Sequence, residues 1–134
     1  MDVSKKAIKK SKETLKGKKV FLVLGDAKNL PFKENTFDFT VSSGLIEHFK
    51  NKKKEDLGMV DEMIRVTKHK GKLLISVPNT FCVWYTIAKP IMYSLKLYPY
   101  HDESSYNFLE LENMMKAKGL NVIRSHGLQL FPHS

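Results

Sequence analysis

The run Val20-Phe21-Leu22-Val23-Leu24-Gly25-Asp26-Ala27-Lys28-Asn29-Leu30-Pro31-Phe32 points to a fold class on its own. Its first five residues are apolar without alternation. A strand with one wet face alternates apolar and polar, because successive side chains point to opposite sides of the sheet. A short continuous apolar run between breakers instead predicts a strand buried on both faces, as in a parallel sheet covered by helices. Gly25-Asp26 stops the run. In open sheets of this kind, ligands bind beyond the carboxyl ends of the strands. Asp26 is therefore a candidate binding residue, since a carboxylate there can accept hydrogen bonds from a ligand amine or hydroxyl. A turn or cap aspartate is the competing reading, and position alone does not separate the two.

Working outward, the alternation continues on both sides. Upstream, Ser4 is a plausible N-cap, Ala7, Ile8, Ser11 and Leu15 share one helical face, and Gly17 ends the run. Downstream, residues 27–36 read as a loop, 37–43 as a strand closed by Gly44, and about 45–50 as a short helical piece. Leu57, Val60, Met63, Ile64 and Thr67 repeat at the helical period, and Gly71 stands where a helix C′ glycine would. Residues 73–77 predict a strand halted by Pro78-Asn79. Phe108, Leu111, Met114 and Met115 mark a further helix ending at Gly119, and residues 120–124 a last strand. Strands alternating with helices imply right-handed crossovers and an α/β domain with a mostly parallel sheet. The reading is one domain over 1–134, with an aromatic-rich insertion at about 80–106 that carries Trp84, Tyr85, Tyr98 and Tyr100.

Composition narrows the class. The chain is 42% hydrophobic and 28% charged, ordinary for a globular domain. Cys82 is the single cysteine, so no intrachain disulfide forms, which fits a reducing compartment. Met1 leads into a lysine-rich run rather than a signal peptide. The most apolar stretch, 81–92, holds Lys89 and Pro90 and is shorter than the roughly 20 residues of a membrane span. These features predict a cytoplasmic protein without a membrane partner. The net charge is +9, with lysines crowded at positions 5, 6, 9, 10, 12, 16, 18 and 19 and again at 50 and 52–54. A solvated face is the favoured reading of such runs over an anionic partner. Arginine stands only at 65 and 124, and base-edge and bidentate phosphate recognition lean on arginine, so nucleic acid is disfavoured. His69, His101, His126 and His133 show no metal-ligand spacing, and no metal is expected.

Taken in order, Gly25-Asp26-Ala27-Lys28-Asn29-Leu30-Pro31-Phe32, Phe37-Asp38, Leu45-Ile46-Glu47-His48-Phe49, Glu62-Met63-Ile64-Arg65-Val66 and Gly71-Lys72-Leu73 resemble the motif series of class I S-adenosylmethionine-dependent methyltransferases. The match is good over 1–79 and looser over 105–127. It implies a Rossmann-like three-layer α/β sandwich and S-adenosylmethionine as cofactor. Asp26 then matches the acidic residue that takes the adenine amine, and Ala27 the backbone N–H that meets an adenine ring nitrogen. Ser43 and Gly44 match backbone lining the methionine part, with Leu45 and Ile46 in apolar contact. Asp2 matches the carboxylate that takes both ribose hydroxyls. His48 is the catalytic candidate nearest the expected methyl position, able to remove a proton from a substrate hydroxyl. Local hydrogen bonding by Glu47 and His48 is favoured over that role, because methyl transfer is mostly positioning of a nucleophile against a reactive sulfonium. The aromatic residues of 80–106 either wall a substrate or pack an extra helix.

The sequence also departs from that family. None of the seven glycines forms the Gly-x-Gly loop that approaches the methionine portion of the cofactor. The resemblance therefore implies a partial domain that lacks the first strand and the last. Expected of it are methyl transfer to a small-molecule acceptor, weak or absent activity alone, and self-association or a partner chain that completes the sheet. A non-catalytic methyltransferase-like module, acting through a partner or its basic face, is the alternative. A nicotinamide-dependent dehydrogenase shares the sheet type but not this motif series.

Overall fold

The computed structural model describes residues 1–48, 57–82, 84–97 and 105–127, without the side chains of Leu57, Trp84 and Tyr85. The chain divides into two compact units, Met1–Thr40 with Leu57–Leu73, and Val41–Asp56 with Leu74–Ser134.

In the first unit, helix α1 spans Lys5–Thr14. Ser4 is extended, so its Oγ can turn back and accept the Ala7 N–H at 3.2 Å. Asp2 Oδ1 takes the Ser4 N–H at 2.7 Å and fixes the approach to that cap. Ala7, Ile8, Ser11 and Leu15 form the half-buried face, as their spacing predicts. Gly17 follows with a φ of +79°, where a side chain would be strained. Residues 20–24 differ from expectation. They make a single parallel bridge, between Leu24 and Asp2, instead of a five-residue strand. A strand exists only through a ladder with its neighbours, and Asp2 is the one neighbour bridged here. Phe21 is consequently 93% exposed.

Helix α2 spans Leu57–Val66, strand β1 Phe37–Ser43 and strand β2 Thr67–Ser76. The two strands pair. The Thr36 N–H donates to the Val66 carbonyl at 2.8 Å, and the Asp38 carbonyl lies against Gly71, so both strands advance together and run parallel. Two expectations are corrected here. Thr67, counted with the helix, opens β2 and ends α2 by donating its Oγ1–H to the Met63 carbonyl at 2.6 Å. Gly71 is not a helix C′ residue but lies inside β2, and the left-handed residue is Lys70, with φ +68°. Gly71 is needed for close approach: a Cβ there would sit 2.8 Å from the Lys68 carbonyl and 3.0 Å from that of Asp38. Met59, Val60, Met63 and Val66, all on α2, are buried.

In the second unit, β1 ends with Ser42 buried and Ser43 exposed, as strand alternation requires. A single 3₁₀ turn, Ile46–His48, replaces the predicted helical piece as far as the described residues run. After β2 the chain makes another parallel contact, with the Tyr106 N–H donating to Pro78 and the Thr80 N–H to Tyr106, and Tyr106 is buried. A π-helical turn, Trp84–Ala88, runs into α3, Lys89–Ser94. Pro90 has no N–H to donate back into that turn, which accounts for the change of helical pitch. Helix α4 spans Phe108–Ala117, capped by Asn107 Oδ1 on the Glu110 N–H at 2.8 Å. It closes with Gly119 at φ +77° and the Leu120 N–H on the Met115 carbonyl. Residues 120–124, predicted as a strand, form no ladder among the described residues. Tyr98, Tyr100 and the lysines at 50 and 52–54 lie outside the described residues. Among the described residues, no helix is long and apolar enough to cross a membrane.

Candidate functional site

The candidate residues fall into two groups, one in each unit. In the first, Asp2 and Asp26 flank one backbone junction. The Asp2 N–H donates to Val23 at 3.2 Å, and the Gly25 N–H donates back to the Asp2 carbonyl at 3.0 Å. The loop then folds on Asp26. Its Oδ1 accepts the Lys28 N–H at 2.9 Å, and its carbonyl accepts the Asn29 N–H at 3.1 Å. The turn role and the binding role of Asp26 are thus compatible. The turn uses one carboxylate oxygen, and Asp26 is exposed, so Oδ2 remains for a donor from a ligand. Asp2 is similarly exposed and uses Oδ1 for the Ser4 N–H. Ala27 is half-buried at the turn itself.

The far end of this loop is held by two residues given no role on sequence grounds. Glu62 Oε2 accepts the Leu30 N–H at 2.7 Å. Arg65 donates from Nη1 to the Phe32 carbonyl at 2.8 Å and from Nη2 to the Leu30 carbonyl at 3.0 Å. The same guanidinium grips Glu62 with two bonds, Nε to Oε1 at 2.6 Å and Nη2 to Oε2 at 2.7 Å. The Arg65 hydrogen bond, aided by the Leu30 N–H and the positive charge, outweighs desolvation and holds the Glu62 carboxyl at about 2. Arg65 is in turn raised above its ordinary value by Glu62. Phe32 and Phe37 meet edge to face, centroids 5.0 Å apart, where the loop returns to the sheet. Opposite charges at i and i+3 on a helix are a readable signal for a pair. Which backbone they reach is not.

In the second unit, Ser43, Gly44 and Leu45 carry the chain out of β1. Gly44 has a φ of +65°, and its N–H donates to the Ser76 carbonyl at 3.1 Å. Leu45 is exposed. Ile46 is wholly buried, so it belongs to the core rather than to a ligand-facing surface. His48 is exposed and joined to the turn through its N–H on the Leu45 carbonyl, while its neighbour Glu47 is buried, 5% exposed, with Oε1 directed toward Gly44. Among the described residues no group of His, Cys, Asp and Glu could hold a metal ion.

Comparison with known proteins agrees with this architecture. Residues 1–75 match the methyltransferase domain family. An uncharacterized protein of Methanocaldococcus jannaschii is 27% identical over 132 residues, which is 98% of this chain and 49% of that protein. A solved S-adenosylmethionine-dependent methyltransferase from Thermotoga maritima superposes with a TM-score of 0.67 at 20% identity, over 84% of this chain and 52% of that one. A Galdieria sulphuraria structure, named for sarcosine dimethylglycine methyltransferase, gives 0.63 at 23% identity, over 92% of this chain and 46% of that one. The chain thus spans about half the length of the relatives it matches. The fold is that of the Rossmann-like methyltransferases, and the chain belongs to the class I S-adenosylmethionine-dependent methyltransferase family.

Proposed function

We propose that this chain supplies the adenosine-binding side of a methyltransferase that acts on a small-molecule acceptor. The observation that carries the reading is the 25–32 loop. It presents Asp26 and Ala27 from a turn pinned at both ends, with the carboxylate of Asp2 at its base. The residues fit S-adenosylmethionine: two exposed carboxylates, each with an oxygen to spare, suit an exocyclic amine and a pair of hydroxyls. When bound, that cofactor supplies an electrophilic methyl group on a sulfonium. Asp26 would accept from the adenine amine, Ala27 would donate its N–H to the ring, and Asp2 would accept from the ribose. Ser43, Gly44 and Leu45 would line the methionine part. Because the methyl group such a cofactor would supply is already electrophilic, the protein's task would be alignment of the acceptor. His48 is exposed and, on this reading, is not needed as a base. A small acceptor is supported by the name of the Galdieria neighbour and by the motif type.

Thermal unfolding with and without millimolar S-adenosylhomocysteine tests this. A ligand that binds only the native state stabilises it by mass action, by about 2.7 kcal/mol at a hundredfold excess over Kd, and so raises the midpoint. The unaltered chain should show a rise and Asp26→Ala none. A cooperative transition that does not move in the unaltered chain would overturn the reading.

A further inference from the structure

We propose that Glu62 and Arg65 are positioning residues that set base selectivity, holding the 25–32 loop in the one shape in which Asp26 and Ala27 can read an adenine edge. The inference rests on the adenosine-binding reading of that loop. Its ground is where the bonds go. Arg65 could have tied α2 to another helix. Instead, among the described residues, the Arg65 side chain bonds to the loop, at the Leu30 and Phe32 carbonyls, and to Glu62, which takes the Leu30 N–H. Both backbone polar groups of Leu30 are thus held. The upstream end is held by the Gly25 N–H on the Asp2 carbonyl, and the turn between is closed on Asp26. The α2 terminus adds two more ties, since the Arg65 and Val66 carbonyls accept the Asn35 and Thr36 N–H groups at 2.9 and 2.8 Å. With both ends fixed and the middle closed, the Asp26 carboxylate and the Ala27 N–H have defined positions. Hydrogen-bond readout of a base needs that, because such a site tolerates misplacement of only about 0.5 Å.

The chemistry read is specific. Adenine offers an amine to a carboxylate and an unprotonated ring nitrogen to an N–H. Hypoxanthine reverses both, with a carbonyl oxygen facing Asp26 and a ring N–H facing Ala27. The loop therefore favours the 6-amino base only while its shape is kept. Lysine cannot replace Arg65, because one ammonium nitrogen cannot reproduce a planar fork that reaches two carbonyls and a bidentate carboxylate together.

The experiment is an NMR titration of the full chain with S-adenosylhomocysteine and with S-inosylhomocysteine, on the unaltered protein, Arg65→Lys and Glu62→Gln. The unaltered chain should prefer the adenosyl compound by roughly tenfold or more, the scale of one lost charge-assisted hydrogen bond. In Arg65→Lys the preference should fall to within about twofold, with the circular dichroism spectrum retained. Glu62→Gln keeps an oxygen for Leu30 and loses the charge that orients Arg65, so it should lie between, and it decides the matter if Arg65→Lys does not fold. A folded variant with full preference would overturn the positioning role and leave the adenosine-binding reading standing. Equal or absent binding of both compounds by the unaltered chain would remove that reading and the inference together.

Discussion

Gly71 shows how one missing methyl group sets a strand's path. A Cβ added there meets Thr67 Cγ2 at 2.6 Å, on a side chain held through its Oγ1 bond to Met63, and two backbone carbonyls, at 2.8 and 3.0 Å, which no rotamer change can relieve. Gly71→Ala should therefore destabilise the fold by about 1–3 kcal/mol, read as a lower urea midpoint. Gly58, on α2 with nothing within 4 Å of an added Cβ, is the control: Gly58→Ala should be neutral or stabilising by up to about 1 kcal/mol. Glu62 gives a prediction in pH. Its folded value, about 2, lies below the ordinary 4.5, so the folded state holds its proton less tightly than the unfolded state does. The stabilisation is full above 4.5 and is lost as pH falls toward 2. The melting midpoint of the unaltered chain should drop through that window. Glu62→Gln should start lower at neutral pH and show a shallower drop. Equal slopes would mean that other carboxylates govern acid unfolding.

The helices divide sharply from the strands in what their residues announce. Ser4 and Gly17 bracket α1, and Gly119 ends α4, because caps and left-handed glycines act within a few residues and can be read locally. Asn107 was not singled out from the sequence, although it too is a short polar side chain just ahead of an apolar face. Its Oδ1 holds the Glu110 N–H, so Asn107→Ala should cost about 1 kcal/mol in thermal stability, and Asn107→Asp should cost little, since an anion suits a helix N-terminus. Strands carry no such local signature. Residues 20–24 and 120–124 have strand composition, yet a strand forms only with a partner, and a run of residues does not say where its partner is. Gly71 misleads for a related reason: glycine after an apolar helix usually marks a C′ position, and only the approach of Asp38 shows that it serves the sheet. The candidate site divides in the same way. Asp26, Ala27 and Asp2 follow from motif order, whereas the bonds from Glu62 and Arg65 to Leu30 and Phe32 cross between elements and are visible only in three dimensions.

For the molecule as a whole, the apolar side chains left in contact with water matter most. Phe21 and Val3 in one unit and Ile123 in the other are among the most exposed, and each lies on or beside a segment that forms no strand ladder among the described residues. Unpaired N–H and C=O groups beside apolar side chains form a template for pairing with another chain. The net charge of +9 opposes such contact, with the lysines of α1 close to the 20–24 run in sequence. The balance should therefore depend on salt: the Debye length falls from about 30 Å at 0.01 M to about 8 Å at 0.15 M, so repulsion weakens while apolar contact does not. We propose that the chain on its own associates with itself as salt and concentration rise. Sedimentation velocity should show a monomer at low salt and larger species at physiological salt. Phe21→Lys places a charge on the extended run and should restore the monomer at the same concentration without lowering the melting midpoint, because a side chain already in water contributes little to folding. A chain that stays monomeric at every salt concentration would mean that charge and side-chain cover suffice to protect these edges. Association undiminished in Phe21→Lys would place the contact elsewhere on the surface.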